Sequence, residues 1–134
     1  MGEGLQRLIH EYLAAVREAV ADLSASGIPL PASRIEWAAS GVPKRGVLVS
    51  GRSYLKHGYG CTVGTERNEV DFDFGERGEI NGFDGWRLAR FTSFQPSAYG
   101  FADEEELERA LAKEAEQGRV VKRGSLYYLT GHVA

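Results

Sequence analysis

Apolar residues recur at helical spacing near the start of the chain: Leu5, Leu8, Ile9, Tyr12, Leu13, Val16, Val20 and Leu23, with Arg7, Glu11, Arg17, Glu18 and Asp22 between them. The spacing predicts an amphipathic helix over residues 4–25 whose single stripe covers the chain's own core. Gly27 is placed to end it in the left-handed conformation. Ile28-Pro-Leu-Pro31 is expected to be extended, because each proline disfavours helix at the residue before it. Arg34 to Ala39 fits a short strand or a turn of helix equally well. Pro43 to Arg45 reads as a turn, and Gly46 to Val49 as a short strand bounded by turn residues. Ser50 to Lys56 leads into the next segment.

The period then changes from helical spacing to two. His57, Tyr59, Cys61 and Val63 share one parity, and Val70, Phe72 and Phe74 share one parity on a returning strand. Alternation of this kind predicts a half-buried antiparallel hairpin joined by the Gly64–Asn68 loop. The apolar sets face one core. Gly58, Gly60 and Thr62 are left on the other face with Asp71 and Asp73, so that face is bare and acidic. Glycines inside a strand weaken it and mark places where another backbone or a ligand comes close.

Downstream, Gly75 to Gly78 and Asn81-Gly82 read as turns, with Glu79-Ile80 pairing briefly between them. Asp84 is placed to cap a short helix carrying Trp86, Leu88, Ala89 and Phe91, with Trp86 assigned to the core. Phe94 to Gly100 is a loop. Asp103 and Glu106 stand in a capping-box relation ahead of Leu107, Ala110, Leu111 and Ala115, and Gly118 ends that helix. Arg119–Lys122 and Leu126–Leu129 predict a terminal hairpin, with one of Tyr127 and Tyr128 buried and the other exposed. The expected class is α+β: a small antiparallel sheet with the N-terminal helix and further short helices packed on it, and a C-terminal β-hairpin.

Composition narrows the class further. At 134 residues the chain is read as a single domain, residues 1–134, with 43% hydrophobic and 26% charged residues. A net charge of −3 and a pI near 5.6 give no basic footprint for nucleic acid. One cysteine makes no internal disulfide, and no apolar run reaches membrane-spanning length, so a cytoplasmic protein is expected.

Asp71 and Asp73 are the sharpest chemical candidates, since residues two apart on a strand project to one side and two carboxylates there could hold a divalent cation or share a proton. Only Glu69 and Glu76 lie nearby as further oxygen ligands, so no metal and no cofactor is expected. On a single strand His57 and Cys61 would stand about 13 Å apart, too far to share a metal. Cys61 faces the core, where a thiol behaves as a small hydrophobe. The opposing reading of the acidic face has a helix of the same chain covering it, with Arg87 or Arg90 neutralising the aspartates.

The combination HGYGC, DFDFG and GFDGWRL resembles a family of small bacterial single-domain proteins of unassigned function. The resemblance is best over residues 54–92 and extends more loosely through YGFADEEELERAL to LYYL at 126–129. In size and acidity the chain is also similar to immunity proteins encoded beside bacterial toxins. That similarity implies a non-catalytic binding protein that occludes a cognate toxin or effector domain, and the acidic balance would suit a basic partner. Glu69, Asp71 and Asp73, with Gly58 and Gly60, are the expected partner-binding residues. The alternative is a small metal-assisted or acid–base enzyme using His57, Asp71 and Asp73.

Overall fold

The structure is a computed structural model that describes residues 1–42, 47–49, 52–64 and 69–131, with only the backbone path given for 47–49. The expected turn at Pro43–Arg45 and nearly all of the Gly64–Asn68 loop lie outside the described residues. Among the described residues four α-helices, α1 (Glu3–Ala25), α2 (Arg34–Ala39), α3 (Gly85–Phe91) and α4 (Glu104–Glu116), accompany six strands: β1 (Val47–Val49), β2 (Arg52–His57), β3 (Gly60–Gly64), β4 (Glu69–Asp73), β5 (Val120–Arg123) and β6 (Leu126–Leu129). The strands form an antiparallel meander in the order β1-β2-β3-β4 and a separate β5-β6 hairpin. The α+β class is as the sequence predicts. Two compact units are distinguishable: Ala14–Ile80, and Met1–Leu13 with Asn81–Ala134.

Helix α1 follows the predicted stripe, with Leu5, Leu8, Ile9, Tyr12, Leu13, Val16, Val20 and Leu23 all buried. Gly27 adopts φ 84, and the amide of Ile28 donates to the carbonyl of Leu23, which closes the helix end.

In the Ala14–Ile80 unit, the undecided segment Arg34–Ala39 is helical. Ser33 caps it by accepting from the Glu36 amide at 3.1 Å. Its one buried side chain, Trp37, is the hub of an aromatic cluster. The indole ring lies 4.7 Å from Phe74 and meets Tyr54 edge-on at 6.3 Å, while Phe72 meets Phe74 edge-on at 5.6 Å. Trp37 Nε1 donates to the Gly60 carbonyl at 2.9 Å, fixing α2 to β3. Lys56 is buried on the same side and ends at the C-terminus of α2, where Nζ donates to the Ser40 carbonyl at 2.8 Å. A cation is well placed against the carbonyls that end a helix. Arg52 bridges from β2 to Glu18 and Asp22 of α1 at 2.7 and 2.9 Å.

In the other unit, Asp84 caps α3 by accepting from the Arg87 amide, and Asp103 caps α4 by accepting from the Glu106 amide. Glu106 reaches back to the Ala102 amide, one residue before the cap. The Glu114 carboxylate is hydrogen-bonded by Arg119, and that bond holds its pKa below the ordinary value. Three expectations fail here. Tyr127 and Tyr128 are both buried, because Phe83 bridges to the Tyr127 backbone and Tyr128 closes over Gly82. Trp86 is 39% exposed: α3 buries Gly85, Leu88 and Ala89 on one face, and Trp86 falls on its flank under the Arg90 guanidinium, 5.4 Å from the ring centroid. Pro96–Tyr99, read as loop, is a 3-10 helix.

Candidate functional site

The HGYGC segment contains a turn where the spacing suggested a continuous strand. Positions 57 and 60 are register partners, so Gly58 and Tyr59 form a two-residue hairpin turn between β2 and β3. Gly58 has φ 44, the left-handed value that such hairpins take at their first central position and that glycine adopts without steric cost. The consequence is a change of face for His57. It belongs to β2, opposite Gly60, and it no longer shares the side of Cys61, which pairs with Lys56. Gly58 sits in the turn, off the strand face where it was expected.

The parity of β3 and β4 is as expected. Cys61, Val63, Val70 and Phe72 are fully buried on one side of the sheet. On the other side the register sets Asp73 beside Gly60 and Asp71 beside Thr62. Cross-strand order there runs His57, Gly60, Asp73, so histidine and carboxylate flank a residue with no side chain. A Cβ built on Gly60 would collide with the Phe72 carbonyl oxygen and the Asp73 carboxylate, which leans over the glycine.

Three groups converge as a result. His57 Nε2 lies 3.3 Å from Asp71 Oδ1 and 3.0 Å from Thr62 Oγ1. One ligand atom from each of His57, Asp71 and Asp73 can be chosen so that all lie within 4.8 Å of one another. Their environments differ: Asp71 is buried at 5% exposure, Asp73 half-buried, and the His57 side chain 41% exposed. Of the other residues expected at a partner surface, Glu69 is exposed, Gly58 is exposed in the turn, and Gly60 is buried.

The chemistry open to this cluster is limited by which nitrogen is used. A nucleophile–base–orienter relay needs the two ring nitrogens of histidine to face different partners. Here Nε2 alone faces both Thr62 and Asp71, so the hydroxyl and the carboxylate share one nitrogen. Cys61 is no nucleophile either. Burial pushes its thiol well above the ordinary value, and the carboxylates of Asp71 and Asp73 push it further the same way. Native protein should accordingly leave Cys61 unlabelled by iodoacetamide at pH 8, with full labelling after unfolding in guanidinium. Rapid native labelling would mean that the strand opens readily.

A second feature lies at the turn end of the sheet. The Tyr59 carbonyl accepts from the Phe74 amide at 2.9 Å, and the Gly75 carbonyl accepts from the Arg34 amide at 3.1 Å. These bonds bring α2 alongside the hairpin turn. The Arg34 guanidinium stands 5.1 Å over the Tyr59 ring and 3.5 Å from Glu76. Tyr59 is 47% exposed, and Ile35, which follows Arg34 on α2, is 69% exposed. Sequence spacing assigned Tyr59 to the core and so missed this patch.

The chain belongs to the family described as Domain of unknown function (DUF6896), whose profile matches residues 5–129. No curated protein and no solved structure matches it. Among the described residues no helix is long and apolar enough to cross a membrane.

Proposed function

We propose that this domain is a non-catalytic, cytoplasmic binding protein of immunity type, which neutralises a cognate toxin or effector domain by occluding it. The observation that carries the reading is the exposed Tyr59 ring stacked under the Arg34 guanidinium, with exposed Ile35 next to Arg34 on α2. Tyrosine and arginine dominate the energetics of protein interfaces when held on rigid backbone beside apolar neighbours. Here the turn, the Ser33 cap and the two backbone bonds at Phe74 and Arg34 hold them in place without a partner. A net charge of −3 favours a basic partner, and Glu69 and Asp73, at the two ends of β4, add acidic groups on the same sheet.

The test requires a toxin-bearing protein encoded by the neighbouring gene, whose toxin domain is expressed with and without this chain. Expected are rescue of growth and a complex on size exclusion. Tyr59→Ala with Ile35→Asp should weaken the complex by roughly 30-fold or more, as loss of a central anchor does. The melting temperature of that variant should stay close to the parent's. Full rescue and unchanged affinity in the double variant would remove the patch from the interface. The alternative, a metal-assisted enzyme, draws on the His57, Asp71 and Asp73 cluster.

A further inference from the structure

We infer that His57, Asp71 and Asp73 form a binding site for a divalent transition-metal ion, set over Gly60 on the polar face of the sheet. The inference does not rest on the protein-binding reading, with which it shares Asp73 but neither Tyr59, Arg34 nor Ile35.

Donor separation is the first ground. A cation bound at about 2.0–2.2 Å by imidazole nitrogen and carboxylate oxygen requires ligand atoms roughly 3–4.5 Å apart. The mutual limit of 4.8 Å among the three residues, with His57 Nε2 and Asp71 Oδ1 already at 3.3 Å, lies close to that requirement.

Strand register is the second. Metal ligands are useful when the backbone fixes them, and here two of them flank Gly60 in one cross-strand row, with Asp71 two residues along β4 on the same face. Gly60 places no side chain beneath the point where the ligands meet. The hydroxyl of Thr62, 3.0 Å from His57 Nε2, adds a further oxygen at the margin.

The donor set then selects the ion. One imidazole and two carboxylates suit manganese, iron(II) or zinc better than calcium, which takes six to eight oxygens, or magnesium, which keeps mostly water. Three protein ligands leave coordination positions for water or a substrate oxygen. The half-exposed His57 marks the side from which an ion and its waters would enter.

The experiment uses the whole chain, treated with EDTA and then titrated separately with manganese, zinc, magnesium and calcium chloride. Thermal melting is the readout for all four, with broadening of the His57 imidazole NMR signals as a second for manganese. Manganese or zinc at a hundredfold excess over its dissociation constant should raise the melting temperature by about 5 °C or more, since an ion specific to the folded state stabilises it by mass action. His57→Ala and Asp73→Asn are the variants to use, because both side chains are partly exposed and their loss leaves the buried Asp71 in place. Each should keep an ion-free melting temperature near the parent's and lose the metal-dependent rise. The inference is overturned if no ion raises the parent's melting temperature, in which case groups of the chain itself satisfy the carboxylates. It is equally overturned if the rise persists in both variants. Since no partner protein is present, neither result bears on the protein-binding reading.

Discussion

Trp37→Ala is expected to cost about 3–5 kcal/mol through the cavity it opens, as truncation of a buried aromatic does. The indole is 1% exposed and packs against Tyr54 and Phe74. Two further losses add to the cavity. Gly60 loses the indole donor to its carbonyl, a hydrogen bond worth about 1 kcal/mol. Lys56 loses the ring its ammonium approaches at 5.6 Å. Domains of this kind are stable by only about 5–15 kcal/mol, so the alanine variant stands near the edge of folding. Trp37→Phe narrows the contributions, because it keeps a ring against the cluster while removing the N–H and part of the indole volume. Guanidinium denaturation of both variants checks this. The phenylalanine variant should lose about 1–3 kcal/mol and the alanine variant clearly more. Equal losses would mean that the hydrogen bond, rather than packing, makes Trp37 the hub.

That hub was not legible in the sequence, and the reason is local. RIEWAA is too short for periodicity to distinguish one and a half helical turns from a strand. What decides is Ser33 in front of it, whose oxygen takes the Glu36 amide. The long helix was legible because more than six turns of one stripe leave no competing period. The parity of β3 and β4 was legible for a related reason: Cys61, Val63, Val70 and Phe72 can only be buried together, and this places Asp71 and Asp73 on the reverse side. His57 was misplaced because a glycine-interrupted strand and a two-residue hairpin preserve the same alternation across HGYGC. A signal for the turn existed in the run Arg52–Lys56, whose Tyr54 and Lys56 continue the buried side backwards. A lysine on that side reads as polar, and only the end of α2 explains its burial. Trp86 lies on the flank of the buried face of α3, three residues from Ala89 but turned away from Leu88, and this leaves it 39% exposed.

The candidate site therefore depends on one turn and one bare position, and substitutions at the two glycines should behave very differently. Gly58→Ala meets nothing within 4 Å, and its φ of 44 imposes only the backbone cost of a left-handed alanine, about 1 kcal/mol. Gly60→Ala has no comparable escape. Its methyl group would overlap the Phe72 carbonyl oxygen and the Asp73 carboxylate, and would lie 2.7 Å from the Asp73 Cα. Two of those three obstacles are backbone of the neighbouring strand, which moves only if the β3–β4 pairing opens. The expected loss is about 3 kcal/mol or more, at or beyond the upper end of ordinary overpacking. Asp73 would also be driven off the row it shares with His57, so metal-dependent stabilisation should vanish in Gly60→Ala and persist in Gly58→Ala. Urea denaturation of both variants, each with and without manganese, reads the two effects together. A Gly60→Ala protein as stable as Gly58→Ala would show that β4 can yield at Asp73, and the close approach over Gly60 would then no longer define the site.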